Sequence, residues 1–506
     1  ANANGTGSQS ANLILLNSLF RMGTHVSGKN LFPSNIAGLP TWYIVRVSDH
    51  GYQAPGDETH IQILMNIDTW AEDLTELKPG SVVIYNTDVK ALINRDDWIL
   101  YPAPMTSMAR ELNPKLAKMV SNMVYVGIIA EMLEIPQKIV EEAIAKQFKG
   151  KEKAIEINSK ASIMGRKHFK NRLKKNDPYY VEKRKKDKNQ FLIEGNEALA
   201  LGSIYGGINV LSWYPITPSS SVAEAIESYV PKLRTDKSGK ATCSIIQAED
   251  ELAAIGMVVG AGWAGARSMT CTRGPGISLM SELIGLSYYS EIPGVIWDVT
   301  RVGPSTGLPT RTQQGDISML YEASHGDTQH IVLIPGNVDE CFEVGWKAFD
   351  YAEKYQTMVF GFTDLDLGMN LWVSNGFEYP NEPMNRGKVL RTKEELEKIS
   401  DVLWNLPQGY TDRTNIQKLD NLEIGKITTI RVKVIKYNFP RIRNLPNKVV
   451  CEDEKGKIDI VFFNSREGYV RKILPIESYV IISGKINYYN KKYQITNPTH
   501  ISSDKN

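Results

Sequence analysis

Hydrophobic positions recur with two different spacings along the first 150 residues, and the two spacings alternate. Residues 8–22 carry Leu15, Leu19 and Phe20 at helical spacing, and Gly23 follows as a C-terminal stop. Short runs rich in β-branched and aromatic residues lie at 42–47, 61–67 and 81–85. Strands separated by helices predict an α/β domain with a parallel, doubly wound sheet over residues 1–150.

The same alternation returns further along the chain and predicts a second α/β domain. Apolar runs that suit buried strands occur at 208–213, 244–247, 267–272, 295–299 and 331–334. Helical patterns follow at 249–262 and after Gly274-Pro275-Gly276, where a proline stands in the first turn. We place this domain at residues 191–400.

Between the two α/β domains, residues 151–190 contain few apolar positions and many positive charges. These charges are Arg166, Lys167, Lys170, Arg172, Lys174, Lys175 and the run 183–186. Such blocks are typical of solvated segments, so we predict a mobile basic linker. A nucleic-acid-binding patch is the alternative.

The pattern changes after residue 400. Five β-rich segments separated by turn residues occupy 427–434, 448–451, 457–463, 478–486 and 493–496. Five short strands in about 75 residues predict a small all-β barrel of the OB type, as a domain over residues 401–506.

Composition and charge exclude several classes of protein. The charged fraction of 23% and hydrophobic fraction of 42% suit a globular protein, and the net charge of +2 indicates no polyanionic partner for the whole chain.

The cysteines are Cys243, Cys271, Cys341 and Cys451, which lie far apart in the sequence. We therefore expect no disulfide framework and no metal site built by this chain, and a cytoplasmic location. No apolar run reaches the ~20 residues of a membrane helix. Because the sequence begins at Ala1, we expect residues upstream of it.

Three segments carry candidate chemistry. Gly5 and Gly7 precede a helix and suit either a tight turn or a phosphate or coenzyme A site. Thr217 lies among hydroxyl-bearing residues at a predicted helix start, where it could cap the helix or hold a carboxylate. Glu251 leads directly into an apolar helix. It could serve the helix dipole, or it could share a proton with a heterocycle nitrogen.

Six motifs occur in the order of a known family. They lie at 195–198, 214–218, 249–254, 274–276, 303–310 and 364–370. Together they resemble the alpha subunit of thiamine-diphosphate-dependent 2-oxoacid:ferredoxin oxidoreductases, of the 2-oxoglutarate synthase type. Residues 1–150 resemble the Rossmann-like gamma domain that one branch of this family fuses upstream of alpha.

The resemblance implies roles for particular residues. Glu251 matches the carboxylate that contacts the aminopyrimidine ring of the cofactor. Thr217 and Arg301 match the residues that hold the substrate carboxylate. Gly274, Pro275 and Gly276 would border the cofactor pocket, and Gly5 and Gly7 would serve coenzyme A. Arg273 departs from the family pattern, in which a small residue such as serine is expected.

The resemblance also implies partners. In this family a separate beta subunit binds the diphosphate and its magnesium and carries a [4Fe–4S] cluster, and the complex passes electrons to ferredoxin. The family's alpha subunit continues after about residue 400 into a further α/β domain. In this sequence that domain is missing.

The C-terminal part resembles a different protein class. Residues 404–413, 462–464 and 469–472 are similar to the wedge domain of RecG-type DNA helicases, an OB-fold. This resemblance implies that Phe463 and Tyr469 stack at a DNA branch point, with Arg471 and Lys472 beside them. Strand alternation lets only one of Phe462 and Phe463 point inward. No phosphate-binding motor loop of the G-x-x-x-x-G-K-[ST] type is present, so the chain is not a helicase by itself.

Three functions remain open from the sequence. The first is a subunit that oxidatively decarboxylates a 2-oxo acid, of the 2-oxoglutarate or pyruvate type, to an acyl-CoA and needs a beta subunit for activity. The second is a barrel that binds branched or single-stranded DNA. The third is a non-functional chimera joined near residue 400.

Overall fold

A computed structural model describes residues 2–3, 5–32, 39–54, 56–75, 77–89, 93–185, 187–378, 381–389, 415–440, 445–463 and 465–504. The chain divides into two compact units, Ala1–Val389 and Leu390–Asn506. Each unit is described by itself below.

The first unit contains fourteen described strands and thirteen described α-helices. The strands are β1 (Asn2–Ala3), β2 (His25–Leu31), β3 (Pro40–Ser48), β4 (Ile61–Leu64), β5 (Val82–Asn86), β6 (Ile99–Ala103), β7 (Phe191–Glu194), β8 (Val210–Trp213), β9 (Ser244–Gln247), β10 (Ser268–Thr272), β11 (Gly294–Thr300), β12 (Ile331–Leu333), β13 (Met358–Asp364) and β14 (Leu371–Ser374). The helices are α1 (Ser8–Arg21), α2 (Trp70–Thr75), α3 (Met105–Leu112), α4 (Ala117–Met132), α5 (Gln137–Gln147), α6 (Glu152–Arg172), α7 (Gly195–Tyr205), α8 (Ser220–Leu233), α9 (Glu251–Trp263), α10 (Gly274–Tyr289), α11 (Ile317–Tyr321), α12 (Val338–Tyr355) and α13 (Leu365–Met369).

A six-stranded parallel sheet forms the centre of residues 208–364. Its strand order is β12-β13-β11-β10-β8-β9, with apolar residues buried on both faces. Helices α9 and α10 pack on one face, and α7, α8 and α12 enclose a second core with the other face. From β8 the chain moves first outward to β9 and then back past β8 to β10. This reversal creates a switch point between β8 and β10, where such sheets open a crevice at the carboxyl ends of their strands.

A second sheet joins the two α/β regions that the sequence separates. Its order is β1-β3-β2-β14-β7, so strands from the first 48 residues pair with strands from 191–194 and 371–374. Strand β14 runs antiparallel to both β2 and β7. The α/β class is confirmed. The parallel arrangement predicted for residues 1–150 holds for β4-β5-β6, whereas β2 and β3 pair antiparallel.

The prediction of a solvated linker at 151–190 is wrong over residues 152–172, which form the helix α6. Ala161, Ser162, Gly165 and Phe169 are buried on one side of this helix, which packs against α4. A Cβ atom at Gly165 would lie 2.0 Å from the backbone oxygen of Val124, so the two helices are in close backbone contact. Three of these four buried residues are small, and their low hydrophobicity makes the segment look polar in sequence.

The second unit is a closed barrel. Its strands are β15 (Ile416–Gln417), β16 (Ile427–Asn438), β17 (Asn447–Glu452), β18 (Lys457–Phe462), β19 (Tyr479–Tyr489), β20 (Lys492–Thr496) and β21 (His500–Ser503), and its helix is α14 (Glu467–Ile473). The pairings β16–β17, β17–β18, β18–β20, β20–β19 and β19–β16 close the ring. The five predicted strands are therefore confirmed. The predicted wedge residues 404–413 and Asn464 lie outside the described residues.

In the part of the chain that the structure describes, no helix is long and apolar enough to cross a membrane.

Candidate active site

Four segments come together at the carboxyl ends of the parallel strands. Thr217 follows β8, Glu251 follows β9, Gly274 follows β10 and Arg301 follows β11. Thr217 and Arg301 are 84 residues apart, yet Arg301 contacts the backbone of Thr217. Glu251 lies close to the start of α10. The contacts below define this cluster, which lies at the switch point of the sheet.

Arg301 links two of the segments through its guanidinium. Its Nη1 donates to the backbone oxygen of Thr217 at 2.6 Å, and its Nη2 donates to the backbone oxygen of Thr306 at 2.9 Å. Arg301 is 8% exposed, so the guanidinium is held in a largely dry setting. The structure therefore brings together the two residues predicted to hold the substrate carboxylate.

The turn after Thr217 is fixed from the other side by Asn196, a residue that the sequence interpretation missed. Its Nδ2 donates to the backbone oxygen of Pro218 at 3.0 Å and to Oγ of Ser221 at 2.7 Å. Asn196 is fully buried at the start of α7. The motif at 195–198 was the signal in the sequence that could have identified Asn196. Only its hydrogen bonds in the folded chain show that it fixes the turn after Thr217.

Glu251 is the first residue of α9, and it is buried although it is not the helix cap. The cap is Asp250, whose Oδ1 accepts from the backbone N–H of Ala253 at 2.7 Å. Glu251 is only 7% exposed. A Cβ atom at Gly276 would lie 3.1 Å from Cγ of Glu251, which shows how closely α10 approaches this side chain. Since Asp250 already serves the helix end, the burial of Glu251 needs another reason.

Gly274 and Gly276 are so closely surrounded by protein atoms that a side chain at either position would collide with a neighbour. A Cβ atom at Gly276 would lie 1.9 Å from Oγ1 of Thr272, and one at Gly274 would lie 2.8 Å from Oδ2 of Asp316. Oγ1 of Thr272 and Nε of Arg301 are buried without a hydrogen-bond partner among the described residues. Polar atoms that are buried without a partner are the kind that a bound polar cofactor would satisfy, so the residues present fit such a group.

The charges around this cluster are unusual. Burial, together with the neighbouring charge of Arg273, lowers the pKa of Arg301 to about 10, so Arg301 stays charged at neutral pH. Asp298 on β11 is fully buried, and burial, with the negative charge of Asp316, raises its pKa well above the ordinary range. The site thus combines buried cations with a carboxyl group that favours its neutral form.

Comparisons with known proteins identify the family of this chain. Residues 201–389 match the family model described as pyruvate flavodoxin/ferredoxin oxidoreductase, thiamine diphosphate-binding, and residues 1–168 match the pyruvate ferredoxin/flavodoxin oxidoreductase model. The 2-oxoacid:ferredoxin oxidoreductase 2 alpha subunit of Aeropyrum pernix is 30% identical over 440 residues, which cover 76% of this chain and 68% of that subunit. The chain belongs to the 2-oxoacid:ferredoxin oxidoreductase family.

Two further relatives refine the comparison. A solved 2-oxoglutarate:ferredoxin oxidoreductase from Magnetococcus marinus, with 2-oxoglutarate, coenzyme A and succinyl-CoA bound, has a TM-score of 0.71 and 31% identity, covering 78% of this chain and 67% of that one. The 2-oxoglutarate synthase subunit KorA of Methanocaldococcus jannaschii is 44% identical over 176 residues, which cover 35% of this chain. The chain spans 46% of KorA's length. Residues 424–499 match a model of an OB-fold nucleic acid binding domain, which confirms the predicted barrel class.

In this oxidoreductase subunit the predicted coenzyme A glycines lie at the N-terminus of α1. Gly5 and Gly7 have φ angles of 85° and 81°, and Gly7 is the cap of α1. Nδ2 of the buried Asn122 on α4 donates to the backbone oxygen of Thr6 at 2.7 Å and so fixes the loop. Ser8 lines a cavity of about 120 Å³ next to this loop. The coenzyme A role itself stays a prediction.

The barrel of the oxidoreductase subunit presents aromatic rings to solvent. Phe462 is buried, whereas Phe463 is 49% exposed and Tyr469 is 58% exposed. Only one of the two phenylalanines therefore points into the barrel, as strand alternation predicts. The guanidinium of Arg471 lies 4.7 Å from the ring centre of Tyr437 and 4.9 Å from that of Phe439. Lys472 is exposed on the same helix, α14. The two stacked rings under Arg471 were not predicted, since they precede the helix by about thirty residues.

Proposed function

We propose that this chain is the fused gamma–alpha subunit of an oxidoreductase that converts a 2-oxo acid and coenzyme A to an acyl-CoA and carbon dioxide. Two electrons leave the substrate in this reaction and pass to ferredoxin. The observation that supports the proposal most strongly is the contact between Arg301 and Thr217 at the carboxyl ends of the parallel strands. The buried Glu251 follows a neighbouring strand of the same sheet.

Each residue of the cluster has a chemical task in this proposal. Thiamine diphosphate, when bound, supplies the electron sink that decarboxylation of a 2-oxo acid requires. Glu251 would share a proton with the aminopyrimidine ring, a task that suits a carboxylate held away from water. Arg301 would bind the substrate carboxylate with the N–H groups that its carbonyl contacts leave free, and Thr217 would lie beside it.

The substrate that we favour is 2-oxoglutarate. The Magnetococcus enzyme was solved with 2-oxoglutarate bound, and the KorA relatives are 2-oxoglutarate synthase subunits. Pyruvate is the alternative, since Thr217 and Arg301 would recognise only the carboxylate that both acids share. We propose that coenzyme A binds near Gly5 and Gly7.

The proposal also requires partners. Among the described residues no group of histidine, cysteine and carboxylate side chains could hold a metal ion. We propose that a beta subunit supplies the magnesium site and the [4Fe–4S] cluster, and that the isolated chain is inactive without it.

Replacement of Glu251 tests this function. In the complex reconstituted with a beta subunit, Glu251→Gln should lower turnover of the 2-oxo acid by at least ~10²-fold, because the amide cannot exchange a proton with the cofactor. Glu249→Gln is the matched control, since Glu249 is exposed two residues earlier. Equal turnover of the two variants would remove Glu251 from this role, and a complex that turns over neither 2-oxoglutarate nor pyruvate would contradict the proposed reaction.

The barrel favours a second activity, which is compatible with the first. We propose that it binds branched or single-stranded DNA through Phe463 and Tyr469, with Arg471 and Lys472 contacting phosphates. The exposure of the rings of Phe463 and Tyr469 is the observation that supports this binding. Arg471, on the same helix as Tyr469, lies over the ring of Tyr437.

A further inference from the structure

Arg273 departs from the family pattern, and the structure gives it a definite set of contacts. It is the cap residue of α10, directly before Gly274, and its side chain is almost wholly buried, with 2% exposed. Nη1 donates to the backbone oxygen of Thr306 at 3.1 Å, and Nη2 donates to the backbone oxygen of Ser305. The Thr306 oxygen is the same atom that accepts from Arg301 at 2.9 Å.

Among the described residues no ion pair accounts for the burial of Arg273. Its guanidinium is hydrogen-bonded to two backbone carbonyls, and no carboxylate in the described part of the chain is hydrogen-bonded to it. Asp316 and Asp298 act on it at longer range and oppose the effect of burial, which lowers the pKa of Arg273. A buried guanidinium without a close carboxylate is costly. Its hydrogen-bond partners are the two carbonyl groups, and these charge-assisted hydrogen bonds stabilise the buried guanidinium.

The loop that Arg273 holds contains two residues with left-handed backbone angles. Ser305 has a φ of 54°, in the left-handed region that a serine rarely adopts. Gly307 has a φ of 51°, and a Cβ atom there would lie 1.7 Å from the backbone oxygen of Val302. The loop closes on itself through the N–H of Leu308, which donates to Val302 at 3.1 Å. The carbonyls of Ser305 and Thr306 point outward from this closed turn to the arginines.

We propose that Arg273 is a positioning residue of the substrate site. It fixes the carbonyl of Thr306, and that carbonyl in turn orients the guanidinium of Arg301 towards Thr217. The role of Arg301 in holding the substrate carboxylate rests on the proposed function, whereas the attachment of the loop by Arg273 does not. The two parts are therefore tested by separate measurements.

The first measurement is hydrogen–deuterium exchange of the full chain over peptides that cover 302–311. The variants are Arg273→Ser, which removes the guanidinium, and Arg273→Lys. Lysine keeps the positive charge but cannot bind two carbonyls at once with the fixed geometry of a guanidinium. The control is Arg234→Ser, since Arg234 also donates to a backbone carbonyl, that of Ile204, in another part of the same sheet domain. Both Arg273 variants should speed hydrogen exchange at the backbone N–H of Leu308 by about tenfold. Loss of one charge-assisted hydrogen bond to the loop lowers the free energy of its local opening by a corresponding amount. Unchanged exchange in either variant that folds would overturn the attachment.

The second measurement is steady-state kinetics in the complex with a beta subunit. Both Arg273 variants should raise KM for the 2-oxo acid about tenfold and change kcat by less than about threefold, because a positioning residue of the binding site acts on substrate binding. A merely structural residue would lower the active fraction and leave KM unchanged, which would overturn the positioning role. A KM equal to that of the wild type in Arg273→Lys would show that a positive charge is sufficient at this position. This result would also overturn the positioning role of the guanidinium. An inactive wild-type complex would count against the proposed function, while the exchange data would still decide the attachment.

Discussion

Arg301 and Thr217 are joined by a hydrogen bond of 2.6 Å although 84 residues separate them in the sequence. The donor is a side-chain nitrogen and the acceptor a backbone oxygen, so the contact constrains the path of the chain after β8. Nη2 of the same guanidinium binds Thr306. A single planar group thus sets the distance between two loops of the site.

Arg301→Lys should break this geometry. A lysine ammonium is a compact charge on a flexible stem and cannot bridge the two carbonyls as a rigid fork does. We expect KM for the 2-oxo acid to rise by about 10–100-fold in the reconstituted complex, as for loss of one or two charge-assisted hydrogen bonds. Arg386→Lys is the control, because Arg386 also donates to a backbone carbonyl, that of Gly265, but is half-exposed. A KM equal to that of the control would contradict the prediction.

Gly165→Ala should destabilise the first unit. The added Cβ would lie 2.0 Å from the backbone oxygen of Val124, so α4 and α6 must separate. Overpacking of this kind lowers the free energy of unfolding by about 1–3 kcal/mol. Gly260→Ala is a helical control with nothing within 4 Å of the new atom, and it should be neutral or stabilising. Thermal unfolding followed by circular dichroism makes the comparison, and equal midpoints for both variants would contradict the close contact of these helices.

Glu194 should make stability depend on pH. Burial, together with the negative charge of Glu197, raises the pKa of Glu194 to about 7 from its ordinary 4.5. The folded chain then holds a proton that the unfolded chain has released, so the free energy of unfolding falls as the pH rises from about 4.5 to about 7.

The variant Glu194→Gln removes this titration. It should be more stable than the wild type at pH 8 and close to it at pH 4.5, as measured by urea unfolding at each pH. Glu197→Gln should lessen the fall without abolishing it, because burial is the larger cause of the shift. A pH profile of Glu194→Gln that matches the wild type would rule out this group as the origin.

The barrel prediction concerns binding of a forked oligonucleotide to the full chain, followed by fluorescence anisotropy. Phe463→Ala and Tyr469→Ala should each weaken binding by roughly 1–3 kcal/mol through lost stacking. Binding should also weaken as salt rises, since neutralised phosphates release counterions.

Tyr479→Ala is the matched control for these substitutions. Tyr479 is 49% exposed, as Phe463 is, but its ring faces Arg431 at 4.7 Å. Salt-sensitive binding that Phe463→Ala and Tyr469→Ala leave unchanged would indicate a general basic surface. Absence of binding at low salt would contradict a nucleic-acid role for the barrel.

The sequence predicted most strands well because most of their buried side chains are apolar. The five barrel strands are the clearest case, and the helix of residues 8–22 matches α1 (Ser8–Arg21). The linker prediction failed at α6 for a physical reason. Backbone contact at Gly165 stabilises that helix, and a glycine adds no hydrophobic signal to the sequence.

For the site, the sequence by itself determined which residue types could act: the carboxylate of Glu251, the guanidinium of Arg301 and the glycines at the start of α10. It left open whether Glu251 caps its helix, and the structure answers this by assigning the cap to Asp250. Only the tertiary structure decided that Arg273 and Arg301 share the carbonyl of Thr306. The reason is that every residue has the same backbone carbonyl, so the sequence does not indicate which carbonyl a side chain will bind. Such a contact forms only when the folded sheet brings the two segments together.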